Sequence, residues 1–377
     1  MMALTVEYFL MIFHFNHKQL FLALICGLLF TLAIAAKAEP YLAYKNNLKC
    51  MACHVNPNGG GLRNDFGRSY GQQLLPSKAA SYDSTKLAKL TQFLTLGADA
   101  RFNGTFQQDD NGNNNQSFAI ASTQLYLNIA LPTTGLSFYI DQQVAPGTAI
   151  NREAFIMYKF ASGNFIKAGK LFLPYGLRIE DDSAFIRQAT GMNFDNSDNG
   201  VEFALDYSNT TVNFFVSNGT SQASNNDNKF LYGARAEHLF SHFRVGATAV
   251  LNDGEQQVQQ YNLYGGANWG NFTFLSEIDY LILGNANSFD QSDINQLVTL
   301  AEINYQWQKG VNLKFTAEYF DSDLDVAQNQ QTRYSFVVEY TPFANIQLRL
   351  GYRQQDDIPQ KPQQNNDLLF VQSHFYF

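Results

Sequence analysis

The chain is poor in cysteine, tryptophan and charge. Of 377 residues, three are Cys, two are Trp, and 15% are Asp, Glu, Lys or Arg. Three cysteines exclude a disulfide framework. The charged fraction lies well below the ~25% of ordinary soluble domains. With 25 Lys plus Arg against 33 Asp plus Glu, the formal net charge is −8, which excludes the basic footprint of a nucleic-acid binder. The longest apolar run, residues 20–35, falls short of the ~20 residues that a spanning helix needs. What is abundant is aromatic or small: 33 Phe, 20 Tyr and 26 Gly.

The N-terminus reads as a secretory leader over residues 1–38. His14, His17 and Lys18 precede the apolar run, and Ala36-Lys37-Ala38 forms an A-x-A cleavage site before Glu39. Met11 is an alternative start. The small-residue site favours removal over retention as an anchor. Cys26 follows Ile25, where a lipid-attachment signal would carry a small residue, so it is not read as a lipid anchor. Removal takes away Glu7, Lys18 and Lys37, moving the net charge from −8 to −9.

Two cysteines then remain, both in Cys50-Met51-Ala52-Cys53-His54. C-x-x-C-H is the attachment pattern of c-type haem. The thiols add to the vinyl groups, and His54 is placed to ligate the iron. A zinc site needs four ligands, and no second cysteine pair exists; a plain disulfide is the remaining alternative. One covalent haem c would act as the staple that a segment as small as 39–90 requires. Asn56-Pro57-Asn58-Gly59-Gly60-Gly61 predicts a tight, irregular loop beside the haem, and residues 74–94 have room for a short helix. The segment's one Met is Met51, inside the motif. Either the iron is five-coordinate, or another part of the chain completes it.

From about residue 91 to 377 the dominant signal is period two. Leu94, Leu96, Ala98, Ala100 and Phe102 alternate with Thr95, Gly97, Asp99, Arg101 and Asn103, and similar runs recur at 201–207, 311–319 and 346–353. Sixteen strands are predicted, near 92–104, 118–131, 135–144, 152–160, 164–172, 199–208, 210–217, 229–239, 241–251, 258–268, 271–282, 295–307, 310–320, 332–341, 344–353 and 366–377. A soluble sandwich and a membrane barrel both fit the alternation. Connection lengths decide. Short turns follow even strands (132–134, 161–163, 208–209, 240–241, 269–270, 308–309, 342–343). Longer polar loops follow odd ones (107–116, 173–198, 218–228, 252–257, 285–293, 321–331, 354–365). That is the outer-membrane pattern, and it makes the fold an all-β, 16-stranded antiparallel transmembrane barrel with a small haem segment before it. An even count puts both termini in the periplasm of a Gram-negative cell. The last strand ends on Phe377, with Leu369, Val371 and Phe375 on one face. It resembles the signal that such barrels present to the barrel-assembly machinery, the first expected partner beside membrane lipid.

Pleat parity assigns Asp99, Asp141, Glu202, Asp206, Glu237, Glu277, Asp279, Glu302, Glu318 and Glu339 to the lumen, with Arg101, Arg235, Arg244, Lys314, Arg349 and Arg353. These read first as neighbour pairs that keep the wall solvated, and second as a cation-friendly path. His374 shares a face with Gln372 and Tyr376, and His242 with Arg244, so either is a candidate distal iron ligand. His238 falls outward. Met192, in the longest loop, is a further candidate.

A leader, one Cys50-x-x-Cys53-His54 segment and a barrel ending at Phe377 together resemble the fused outer-membrane monohaem cytochrome–porins of iron-oxidising bacteria. Lys167-Ala168-Gly169-Lys170-Leu171-Phe172-Leu173-Pro174-Tyr175-Gly176-Leu177 is similar to a stretch of phosphate-selective-type porins. The first resemblance implies an electron conduit between an extracellular donor such as Fe(II) and a periplasmic cytochrome or other carrier. The alternative is a diffusion porin with a structural or sensory haem plug. A peroxidase-like enzyme lacks a distal acid–base pair beside the motif.

Overall fold

The computed structural model describes residues 39–81, 88–131, 133–192, 196–254, 256–287 and 290–377. The expected leader lies outside them. Sixteen antiparallel strands form one closed barrel in sequence order. They are β1 Leu94–Asp109, β2 Asn114–Leu131, β3 Leu136–Ala145, β4 Ile150–Lys159, β5 Phe165–Leu171, β6 Asp198–Tyr207, β7 Thr210–Ser217, β8 Leu231–Leu239, β9 Phe243–Asp253, β10 Gln257–Trp269, β11 Phe272–Leu283, β12 Ile294–Gln308, β13 Val311–Asp321, β14 Gln330–Tyr340, β15 Ile346–Asp356 and β16 Asn366–Tyr376. β1 closes on β16 from Asp99–Tyr376 to Asp109–Asn366, so the sheet closes on itself.

The first expected long loop is short. The long connection predicted at 107–116 is a tight turn, because β1 and β2 continue as paired Gln and Asn ladders past Phe106. Asp109 accepts from Asn113 N at 2.7 Å, and Gly112 takes φ +80°. The apolar alternation ends where the strands leave hydrocarbon, but the ladder does not.

The wall is inverted relative to a soluble protein. Along β11, Phe272, Phe274, Ile278 and Tyr280 are exposed, while Thr273, Glu277 and Asp279 are buried. Hydrocarbon solvates such an outer face, and the polar groups turn to the lumen. Tyr207, Phe240, Phe243, Trp269, Phe272 and Trp307 stand exposed at the short-turn rim, with Phe240 and Phe243 stacked at 4.2 Å. This is the position of an interfacial girdle.

The N-terminal segment lies inside the short-turn end of the cylinder. It comprises helix α1 Pro40–Lys45, a 3₁₀ turn Cys50–Ala52, helix α2 Asp65–Ser69 and a π turn Tyr70–Leu74. These turns come before Leu75; of the 74–94 stretch in which the sequence suggested a helix, residues 82–87 lie outside the described ones and Ala88 is helical. Pro76 interrupts that stretch, and Ser77 N and Lys78 N bond outward to the carbonyls of Thr341 and Pro342, at 2.8 and 3.0 Å. The segment's tethers reach strands around the whole circumference. Glu39 meets Lys314 on β13 at 2.9 Å, and Lys49 meets Asp206 on β6 at 2.6 Å. Leu62 N donates to Tyr139 Oη on β3 at 3.1 Å, and Arg63 lies 3.6 Å over the Tyr376 ring on β16.

Ile278 sits mid-strand on the outer face. Ile278→Arg is expected to cost about 2–4 kcal/mol of folding free energy in lipid, read by equilibrium refolding into vesicles. A change near zero would remove this face from the hydrocarbon.

Candidate haem site in the lumen

The motif is shaped by local hydrogen bonds. Lys49, extended before the 3₁₀ turn, is pinned by Asp206 and by the Tyr207 carbonyl at 2.8 Å. Cys53 N and His54 N then both donate to Cys50 O, at 3.2 and 3.1 Å. Asn64 clamps the turn from outside. Its Nδ2 lies 3.1 Å from Met51 O and 3.0 Å from Ala52 O, while its Oδ1 caps α2 by accepting from Gly67 N at 2.9 Å. His54 pairs with Arg63 as an isolated antiparallel bridge, closing the glycine-rich loop.

Gly59, Gly60 and Gly61 all have positive φ, from +60° to +86°, a region that side chains disfavour. A Cβ on Gly59 would stand 3.2 Å from Cys50 Cβ, and one on Gly61 would stand 2.1 Å from Tyr139 Oη. The loop is held by the wall: Asn56 Nδ2 donates to both Glu153 carboxylate oxygens (3.0 and 2.9 Å), and Asn58 Nδ2 to those of Glu202 (3.1 and 2.9 Å).

Residues 172–192, between β5 and β6, supply the roof. This loop folds into the lumen instead of outward. Tyr175 Oη donates to Asp279 at 2.8 Å, Leu177 N to Glu277 and Phe185 N to Glu318 at 2.8 Å. Glu180 pairs with Arg101 at 2.6 Å. The short helix α3, Phe185–Gln188, packs its Phe185 and Ile186 into an apolar cluster with Leu281, Val298 and Leu300. The stretch that resembled phosphate-selective-type porins is therefore the end of β5 and the entry to this loop.

Cys50, Cys53 and His54 line one cavity. Its other walls are Leu42, Tyr44 and Leu48, the loop residues 174–178, and Arg235, Glu237, Arg244 and Tyr264 of the barrel. The empty space is ≈ 1070 Å³ with its open side included. His54 also borders a larger polar space of ≈ 2190 Å³, which runs past Arg101, Asp181, Arg349 and Arg353 to Thr105 and Leu368.

The residues fit a thioether-bound haem. Both cysteines are free thiols. Burial pushes both thiols up, Glu237 adding to the effect at Cys50. Burial, reinforced by Arg63, drives the His54 imidazole down to about 4, so it is neutral near pH 7, the form that a metal takes. His54 Nδ1 is buried without a hydrogen-bond partner. Among the described residues, no group of three or more His, Cys, Asp or Glu converges as a metal set.

The three other candidate ligands are not brought to this cavity. His374 is fully buried, but its Nε2 lies 2.6 Å from Asp99 Oδ2 and its ring packs on Tyr376. His242 is exposed in the β8–β9 turn, its carbonyl accepting from Asn268 N. Met192 packs against the cluster of Leu173, Tyr175 and Phe215. The sequence reading missed Tyr44, Asn64 and the roof. The signal for the roof was present: Leu173, Leu177, Ile179, Phe185 and Ile186 are too apolar for a loop in water. His238 bonds Thr210 Oγ1 at 2.7 Å.

No family model and no curated protein matches the chain. Solved structures do match. A loop-deletion mutant of OmpT, an outer membrane protein of Vibrio cholerae, is 12% identical with a TM-score of 0.59, covering 76% of this chain and 100% of that one. An anion-selective porin from Comamonas acidovorans is 9% identical with a TM-score of 0.60, covering 75% and 99%. The outer membrane channel DcaP of Acinetobacter baumannii is 11% identical with a TM-score of 0.56, covering 75% and 97%. The likeness is one of fold: this chain is built like the 16-stranded porins.

Proposed function

We propose that the protein is an outer-membrane barrel that passes electrons between an extracellular donor and a periplasmic carrier, with one haem c attached at Cys50 and Cys53 and ligated by His54. Both termini are periplasmic in this reading. The observation that carries it is the convergence of the motif on one cavity inside the cylinder, between a tethered plug and an inward loop. The bound group would supply reversible one-electron uptake and release. The chain's own residues do the rest. Asn64 and the glycine loop fix the turn that carries both thiols. Burial keeps the His54 imidazole neutral and ready to ligate. The loop residues 174–178 cover the cavity and limit water. A lone haem cannot bridge an apolar band about 25 Å tall, so holding the motif within the lumen shortens the path from either rim.

The second reading is a diffusion porin whose haem segment is a plug. Likeness of fold by itself favours it, since the matched structures are porins and channels. The polar space beside His54 is what such a pore would use.

Denatured, extracted protein is expected to keep a haem stain on gels, and Cys50→Ala with Cys53→Ala to abolish it. An unstained native band would remove the haem and the conduit together. In planar bilayers the haem-loaded protein is expected to conduct little, and a variant lacking residues 39–90 to open large, steady channels. Equal conductance of the two would favour the diffusion porin. Reduction of the haem absorbance by Fe(II) added outside sealed vesicles would name one donor, and no change would exclude Fe(II).

A further inference from the structure

At the floor of the lumen five ionisable side chains meet, four of which, Glu39, Glu302, Lys314 and Arg349, also border the polar space beside His54. Lys314 Nζ lies 2.9 Å from Glu39, 3.2 Å from Glu339 and 3.9 Å from Glu302. Arg349 lies 3.3 Å from Glu339 and 3.9 Å from Glu39. All five are buried, between 1% and 8% exposed. The surrounding amides add no charge: Asn304 donates to Glu302 at 2.6 Å and Asn312 to Glu339 at 2.9 Å. Glu39 Oε1 is buried without a hydrogen-bond partner. Of the ions around them, Arg101 is paired with Glu180 at 2.6 Å and with Asp99 at 3.3 Å, and Asp181 with Arg353. Three carboxylates therefore face two cations, and a buried uncompensated charge is strongly unfavourable.

Glu39 is also the residue that follows the A-x-A site. We infer that the missing cation is the α-ammonium of Glu39 itself, created when a leader peptidase cuts the Ala38–Glu39 bond, and that this processing is what seats the plug. Hydrolysis adds one water across the amide. Ala38 leaves as a carboxylate, and the Glu39 nitrogen takes up a proton to become the ammonium. The new charge belongs to the residue whose carboxylate already touches Lys314. An uncut chain would bring an amide nitrogen to the same place and leave the cluster one negative charge in excess. The inference does not depend on the haem.

Mass spectrometry of the full protein purified from membranes is expected to find Glu39 as the first residue. Its α-amine is then expected to resist an amine-acylating reagent near neutral pH in the folded barrel and to react after denaturation. Each pKa unit gained by the buried ammonium slows the reaction about tenfold. A different first residue, or equal acylation rates folded and denatured, would overturn the proposal. As a second arm, Gly-Ser inserted after Ala38 moves the ammonium out of the cluster. This should lower the melting temperature and speed tryptic cleavage at Lys45 and Lys49, and Glu302→Gln in the same chain should restore both. An inserted chain as stable and protected as the native one would count equally against it.

Discussion

A closed ladder with its apolar residues outside leaves its charges nowhere to go but inward, and the rest of this structure follows from that constraint. The lumen holds Glu202, Glu237, Glu277, Asp279, Glu302, Glu318 and Glu339 together with Lys167, Arg244, Lys314 and Arg333, all buried. Buried charges must be matched by partners inside the cylinder. Some are matched across the wall, as Lys167 is by Glu202 at 2.7 Å. Others are matched by what enters the lumen. Asn56 and Asn58 complete Glu153 and Glu202, Phe185 N completes Glu318, and Lys314 holds Glu39. Segment and loop are therefore parts of the wall's electrostatics.

Apolar patches interrupt the polar interior, and two of them flank the motif. Tyr126, Tyr139, Phe155 and Phe165 line one side, and Leu62, Met51 and Val55 pack on them. Tyr264, Leu275, Leu281, Val298 and Leu300 line the other, and receive α1 through Tyr41 and Tyr44 and the loop through Ile179 and Phe185. The cysteines and His54 lie between these seats, so their geometry is fixed from both sides at once. Ion pairs set the register of the plug, and apolar contact supplies its burial.

The barrel was legible because each strand residue faces one of two simple environments. Period two separates them, and polar punctuation marks the turns; all sixteen strands and the inward charges at Asp99, Glu277 and Arg353 follow from it. The motif was legible because five consecutive residues carry it. What a linear reading could not provide was meeting. His374 pointed inward as expected, yet its role depends on Asp99, 275 positions away in sequence and adjacent once β1 closes on β16. The inward course of residues 172–192 depends on acceptors at Glu277, Asp279 and Glu318, on strands that come later. Loop composition hinted at burial, but no local pattern names the wall that a loop will cross to.

The likeness to porins concerns the cylinder, and this cylinder's inner face is committed in a particular way. In an open pore the lumen charges pair with their strand neighbours and water. Here Asp206 is taken by Lys49, Glu153 by Asn56 and the Phe172 amide, and Arg244 by the Leu48 carbonyl, with its guanidinium 4.4 Å over the Tyr44 ring. Withdrawing residues 39–78 would strip partners from Asp206, Glu153, Glu202, Arg244 and Lys314 together. Each loss would leave a charge in a polar but confined space, where removing one partner costs more than the pair contributes. Plug and barrel are thus energetically one object.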